Sequence, residues 1–180
     1  MRHVPNLLTL ARLLAVPAIV WLIVAGEAVA AFWLYAAAGL TDALDGAIAR
    51  LFDARSRVGT WLDPLADKVM LVSVFVTLGV AGHLPLWLVV LAVLRDVLIV
   101  LYAVVYVLAG AFEGTPLFIS KINTAAQILL AGIVLAHLGP GWGGPMLAEA
   151  FVYVVAATTV ASSAAYLLAV GRRVPPSGGE

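Results

Sequence analysis

Eight residues between positions 42 and 67 have the types and spacing that chemistry on a hard cation requires. They read Asp42-x2-Asp45-Gly46-x2-Ala49-Arg50-x8-Gly59-x3-Asp63-x3-Asp67. The chain has ten acidic residues in all, and these 26 positions hold half of them. On a helix, positions 42, 45, 46 and 49 follow the i, i+3, i+4, i+7 pattern and share one face. Gly46 and Ala49 are small enough to let a backbone or a flat ligand approach Asp42 and Asp45 closely. Asp63 and Asp67 are again one helical turn apart, and Pro64 suits a helix beginning at Asp63. Two helix ends, each with a pair of carboxylates, form an all-oxygen donor set of the kind that Mg²⁺ or Mn²⁺ prefers.

The segments that must position these residues are apolar. Of 180 residues, 64% are hydrophobic and only 11% charged, with a mean hydropathy of +1.10. Soluble domains are about 45–50% apolar and about 25% charged, so the composition is that of an integral membrane protein. An unpaired charge in such surroundings costs several kcal/mol, which implies a metal or a counter-charge for the aspartates. There is no cysteine, which excludes disulfides, thiolate metal sites and sulfur redox chemistry. A spanning helix needs roughly 20 apolar residues. Six stretches qualify, at 7–25, 28–51, 65–81, 84–111, 119–138 and 146–170. Gly26-Glu27, Gly82-His83 and the Gly- and Pro-rich run 138–145 separate them as turns, alternating with the stretches 52–59 and 112–117. The predicted fold is therefore an all-α membrane protein of six transmembrane helices. Residues 1–173 form one domain and 174–180 a disordered tail.

Arg2, Arg50, Arg55, Arg57, Lys68, Lys121, Arg172 and Arg173 fall at the N-terminus, the 2–3 and 4–5 connections or the C-terminus, all on one side of a six-span protein. The opposite turns contain no Lys or Arg. By the positive-inside tendency both termini and the aspartate cluster are cytoplasmic. A cleavable signal peptide is the competing reading of the N-terminus, but Pro5, Asn6 and Arg12 interrupt its apolar run. The chain begins almost directly with its first span, without an Arg- and Ser-rich leader. The expected location is a bacterial cytoplasmic membrane, not a mitochondrion.

Plainer readings exist for each feature. Asp53 reads as a cap or a salt-bridge partner, and Arg50, Arg55, Arg57 and Lys68 could neutralise the acids as a structural ion-pair net. Intramembrane carboxylates also occur in cation transporters, although here they cluster at one end of spans 2 and 3 and do not continue across. Asn6 could cap the first helix, and Arg12 could snorkel to the headgroups. Arg95-Asp96 puts a charge pair near mid-depth in span 4. His3, His83 and His137 are too scattered for a metal site. The five tryptophans lie mostly near span ends, as interfacial anchors do.

The eight-residue pattern resembles, without departure, the CDP-alcohol phosphotransferase signature DxxDGxxARx8GxxxDxxxD. The six-span plan resembles that family too. The resemblance implies metal-dependent transfer of a phosphatidyl group from CDP-diacylglycerol to an alcohol, with release of CMP. It implies Asp42, Asp45, Asp63 and Asp67 as ligands of Mg²⁺ or Mn²⁺, two per site, with Asp67 also the general base on the acceptor hydroxyl. Asp45, Gly46, Ala49, Arg50 and Gly59 would border the nucleotide, joined by Asn6 and Thr9 from the first span. A homodimer is implied, and no nucleic-acid partner is expected. Pyrophosphate displacement spreads negative charge over phosphoryl oxygens, and carboxylate-bound cations neutralise such charge.

Lys121, Thr124 and Gln127 open span 5 as a polar stripe and, with Arg95, could form a basic pocket for an acceptor headgroup. The plainer alternative is capping by Ser120, a snorkelling Lys121 and interhelical hydrogen bonding. The phrases Arg-Asp-Val-Leu-Ile at 95–99 and Ser-Lys-Ile-Asn-Thr-Ala-Ala-Gln at 120–127 resemble the cardiolipin synthase branch of the family. That branch uses phosphatidylglycerol as acceptor. The neighbouring phosphatidylglycerophosphate synthase branch, which uses glycerol 3-phosphate, is the alternative.

Overall fold

The computed structural model describes the backbone of residues 4–52, 59–108 and 118–173, and the side chains of 11–41, 66–102, 104 and 118–168. Among the described residues all regular structure is helical, in six elements: α1 (Val4–Val24), α2 (Ala28–Phe52), α3 (Gly59–Val80), α4 (Leu86–Leu108), α5 (Phe118–Leu138) and α6 (Pro145–Arg173). Within the described residues, α5 and Pro145–Leu168 of α6 are long and apolar enough to cross a membrane. The outward surfaces are apolar as well. Leu14 and Trp21 on α1, Leu94 and Leu101 on α4, and Val160 and Leu167 on α6 are all exposed. A soluble monomer rarely shows apolar surface of that extent, whereas a lipid-embedded bundle requires it.

Helix boundaries follow the turn chemistry. Gly26 and Gly82 both adopt positive φ, 79° and 81°. At each, the glycine N–H bonds three residues back and the next N–H five residues back: Gly26 to Ile23 and Glu27 to Leu22, Gly82 to Gly79 and His83 to Leu78. This is the Schellman ending, which satisfies the last carbonyls and favours glycine at the left-handed position. Two boundaries differ from the sequence expectation. The third helix starts at Gly59 instead of near Asp63, so Pro64 lies in its second turn. A proline there loses a single helical hydrogen bond, and the helix continues through it. The first helix starts at Val4, with Pro5 in the first turn where its missing N–H costs nothing. Asn6 is thus inside the helix and is not its cap.

The helices pack as a ring in the order α1, α2, α5, α6, α4, α3, with α3 also touching α5 across the middle. Ile19, Val74, Leu78, Leu88, Leu130 and Val155 fill the centre. At the end carrying the short turns, backbones come close. A Cβ on Gly139 would stand 2.7 Å from the Ala28 carbonyl oxygen. Trp21, Trp33, Trp87 and Trp142 are exposed around this same end. Phe32, Trp33 and Trp142 meet there edge-to-face, with ring centroids 5.1–5.8 Å apart. The motif aspartates of α2 and α3 lie towards the other end, as does Lys121 at the start of α5.

Candidate active site

The eight motif positions lie on two helices that approach the charged end from opposite directions in the chain. Asp42, Asp45, Gly46, Ala49 and Arg50 occupy the last turns of α2, so their i, i+3, i+4, i+7, i+8 relation holds on continuous helix. Gly59, Asp63 and Asp67 occupy the first turns of α3. The side chains of all of these except Asp67 lie outside the described residues, as do those of Asn6 and Thr9 on α1, and Asp53, Arg55 and Arg57 fall outside them altogether.

Asp67 is held from the neighbouring helix. Nη1 of Arg12 donates to its Oδ1 at 2.6 Å, with the Arg12 side chain 3% exposed and that of Asp67 41%. Arg12 therefore does not snorkel to headgroups. It is buried between α1 and α3 at the level of the motif, and its pairing with Asp67 is what the sequence reading missed. The available signal was physical: an arginine deep in an apolar helix requires an anion, and Asp67 is among the few on offer.

The next residue, Lys68, reaches across to α4. Its Nζ lies 2.5 Å from Oδ1 of Asp96 on α4. That oxygen also accepts from Nη1 of Arg95 at 2.8 Å. The Arg95 side chain is 2% exposed, and each of its guanidinium nitrogens has a partner inside the protein. Nε donates to Ser162 Oγ at 3.2 Å, and Nη2 to Ser162 Oγ at 2.8 Å and Ser120 Oγ at 2.5 Å. One arginine thus ties α4 to α5 and α6. Among the residues expected to meet an acceptor, Arg95 and Lys121 do not share a surface: Arg95 is buried, while Lys121 is exposed one residue beyond Ser120. Thr124 is half-buried and donates to the Ser120 carbonyl.

Deeper on α5, Asn123 accepts at Oδ1 from the Thr159 hydroxyl at 2.8 Å and the Thr158 hydroxyl at 2.9 Å. The amide nitrogens of Asn123 and of Gln127, one turn further, are buried without a hydrogen-bond partner. The polar layer stops there, and Leu130, Ala131, Val134 and Leu135 follow as core. At the opposite end His83, His137 and Glu149 line a cavity of about 400 Å³. Among the described residues no three His, Asp or Glu side chains are placed to hold a metal ion.

The described residues form an all-helical bundle, apolar outside, with two aspartate-bearing helices towards one end. Sequence comparison names the class of protein. Residues 2–164 match the CDP-alcohol phosphatidyltransferase family, and the chain belongs to that family. It is similar to the Schizosaccharomyces pombe cardiolipin synthase (CMP-forming)/mitochondrial hydrolase fusion protein, at 39% identity over 91% of this chain and 30% of that protein. It is similar to human cardiolipin synthase (CMP-forming), at 35% identity over 91% of this chain and 60% of that protein. A rice chloroplastic CDP-diacylglycerol–glycerol-3-phosphate 3-phosphatidyltransferase is 34% identical over 91% of this chain and 56% of its own length. The chain thus spans less than two thirds of the length of each of these three relatives.

Proposed function

We propose that this protein is a cardiolipin synthase, transferring a phosphatidyl group from CDP-diacylglycerol to phosphatidylglycerol with release of CMP. The structural observation that carries the enzymatic reading is the Arg12–Asp67 pair: a half-exposed carboxylate of the family motif, fixed in direction by a buried cation from another helix. A general base oriented by a third group is the recurrent arrangement for activating a hydroxyl. The acceptor hydroxyl oxygen attacks the phosphorus bearing diacylglycerol. A P–O bond forms, the pyrophosphate P–O bond to CMP breaks, and CMP leaves with the bridging oxygen. The hydroxyl proton passes to Asp67 and from there to solvent.

The donor set fits a hard dication: four carboxylates, no sulfur or imidazole, on two helices, with the one described member partly open to solvent. Asp42, Asp45, Asp63 and Asp67 would hold Mg²⁺ or Mn²⁺, two per site. Bound there, the metal neutralises charge on the phosphoryl oxygens and orients the leaving group. Asp45, Gly46, Ala49, Arg50 and Gly59, with Asn6 and Thr9, border the nucleotide in this reading. Lys121, Thr124 and Gln127 face the acceptor. Arg95 serves that subsite indirectly, by holding Ser120 and with it the start of α5.

All six helices span the bilayer in this proposal, as one domain over residues 1–173. The shortest has 21 residues, about 30 Å at the helical rise. Trp21, Trp33, Trp87 and Trp142 ring one end, while most arginines and lysines fall in the sequence at the opposite ends of the helices, which face the cytoplasm in this reading. We take the membrane to be a bacterial inner membrane and the working unit to be a homodimer. A second reading, phosphatidylglycerophosphate synthase, is favoured by the similarity to the rice enzyme.

The test is purified protein with CDP-diacylglycerol and Mg²⁺ or Mn²⁺, offered phosphatidylglycerol or glycerol 3-phosphate separately, following CMP and lipid product. Cardiolipin from phosphatidylglycerol alone is expected, with Asp67→Asn folded and inactive. Product from glycerol 3-phosphate alone selects the second reading. Absence of metal-dependent CMP release with either acceptor refutes both.

A further inference from the structure

We propose that the Lys68–Asp96 ion pair is a positioning device that sets the rotation of α3 about its own axis and thereby aims Asp67. Lys68 and Asp67 are consecutive, and consecutive helical positions point about 100° apart. Lys68 reaches Asp96 on α4 at 2.5 Å, while Asp67 receives Arg12 of α1 at 2.6 Å. Two fixed directions on adjacent residues determine a helix's rotation, which either alone would leave softer. The contact lies one residue past Asp67, the last motif position on α3. At the far end of the same helix pair, close packing of Gly79 against Val89 already fixes the separation.

Asp96 is itself anchored. It shares one oxygen between Lys68 and Arg95, and Arg95 is bound to Ser120 and Ser162. The result is an alternating string, Arg12⁺, Asp67⁻, Lys68⁺, Asp96⁻, Arg95⁺, crossing α1, α3 and α4 and ending on hydroxyls of α5 and α6. Charged partners inside a membrane bundle are costly unless matched, so each link constrains the next. Lys68 touches no substrate in this scheme. Its effect is exerted through Asp67, and the inference rests on the reading of Asp67 as metal ligand and base.

Lys68→Met removes the link and leaves the Arg95–Asp96 pair in place, and Lys68→Arg restores a cation. Mn²⁺ binding to the purified, substrate-free protein, read by electron paramagnetic resonance, is measured beside turnover and thermal unfolding. Lys68→Met is expected to weaken Mn²⁺ binding and lower kcat by about tenfold each. The KM for acceptor and the unfolding temperature should stay near those of the parent, and Lys68→Arg should recover most of both losses. Parent-like Mn²⁺ affinity in Lys68→Met overturns the proposal whether or not stability falls, and so does failure of Lys68→Arg to recover. Asp67→Asn separates the two levels. If it binds Mn²⁺ and turns over like the parent, the underlying reading has failed; if it is impaired while Lys68→Met is not, only the positioning role has.

Discussion

Arg12→Ala isolates what α1 contributes to the reaction. The Arg12 guanidinium is buried and gives Asp67 a charge-assisted hydrogen bond of 2.6 Å. Bonds of that kind contribute about 1.5–3 kcal/mol. Because the Asp67 side chain is 41% exposed, water replaces much of the lost solvation, and the effect on stability belongs at the low end of that range. The effect on rate differs, since water solvates a carboxylate without aiming it. If aim contributes the same ~1.5–3 kcal/mol in the transition state, turnover falls about 10- to 150-fold at ~1.36 kcal/mol per decade. The assay is CMP release in detergent–lipid mixed micelles at saturating metal, with kcat and the KM for CDP-diacylglycerol fitted separately. Arg12→Lys keeps the charge but loses the planar fork, and should recover part of the rate. A kcat within twofold of the parent in Arg12→Ala, alongside an inactive Asp67→Asn, would refute the reasoning. So would an effect confined to KM, which would make Arg12 a nucleotide contact.

Three further outcomes follow from named contacts. Gly139→Ala should lower stability by about 1–3 kcal/mol, because its Cβ would meet the Ala28 backbone at 2.7 Å; Gly132→Ala, where the nearest atom is a Tyr35 ring carbon at 3.7 Å, serves as the near-neutral control in a thermal unfolding series. Gln127→Leu removes a buried amide nitrogen that has no partner, so unfolding should shift to higher temperature while the KM for acceptor rises; parent-like KM would mean that Gln127 never meets the acceptor. Chelation with EDTA should weaken CDP binding, measured by calorimetry, at least tenfold, since a pyrophosphate would otherwise enter beside four like-charged carboxylates; unchanged affinity would dissociate the motif from metal binding.

Most of the helical plan was legible in the sequence because glycine and apolar run length act locally. The turns at Gly26 and Gly82 need a left-handed residue whatever packs around them, and each boundary there falls within a few residues of the expectation. Pro64 misled because the same residue that starts a helix can also be tolerated just inside one. The pairing of charges was not legible. Arg12 and Asp67 are 55 positions apart, Lys68 and Asp96 sit on different helices, and no local rule selects partners across a bundle. A counting argument could have come closer: every charge inside an apolar helix must find its opposite, which leaves few pairings for Arg12, Lys68, Arg95 and Asp96. It could not have shown that Arg95 binds Ser120 and Ser162, because that depends on the packing of α4 against α5 and α6.

The direction in which the charges are laid out bears on what the bundle does. A cation pathway needs polar groups spaced along the membrane normal, so that an ion passes from one to the next. Here the string from Arg12 to Arg95 runs across the bundle at one level. On α5 the polar side chains extend from Ser120 through Asn123 and Thr124 to Gln127, and Leu130, Val134 and Leu135 then close the interior. Ile19, Leu78, Leu88 and Val155 fill the same depth on the other helices. Among the described residues, an ion entering at the aspartate end would next meet a packed hydrocarbon core. A reaction centre has the opposite requirement: groups fixed side by side at the depth where a lipid's phosphate lies, backed by a rigid core that keeps water from passing through. The transverse string of Arg12, Asp67, Lys68, Asp96 and Arg95 suits a reaction centre better than a pathway, in keeping with the catalytic role proposed for Asp67.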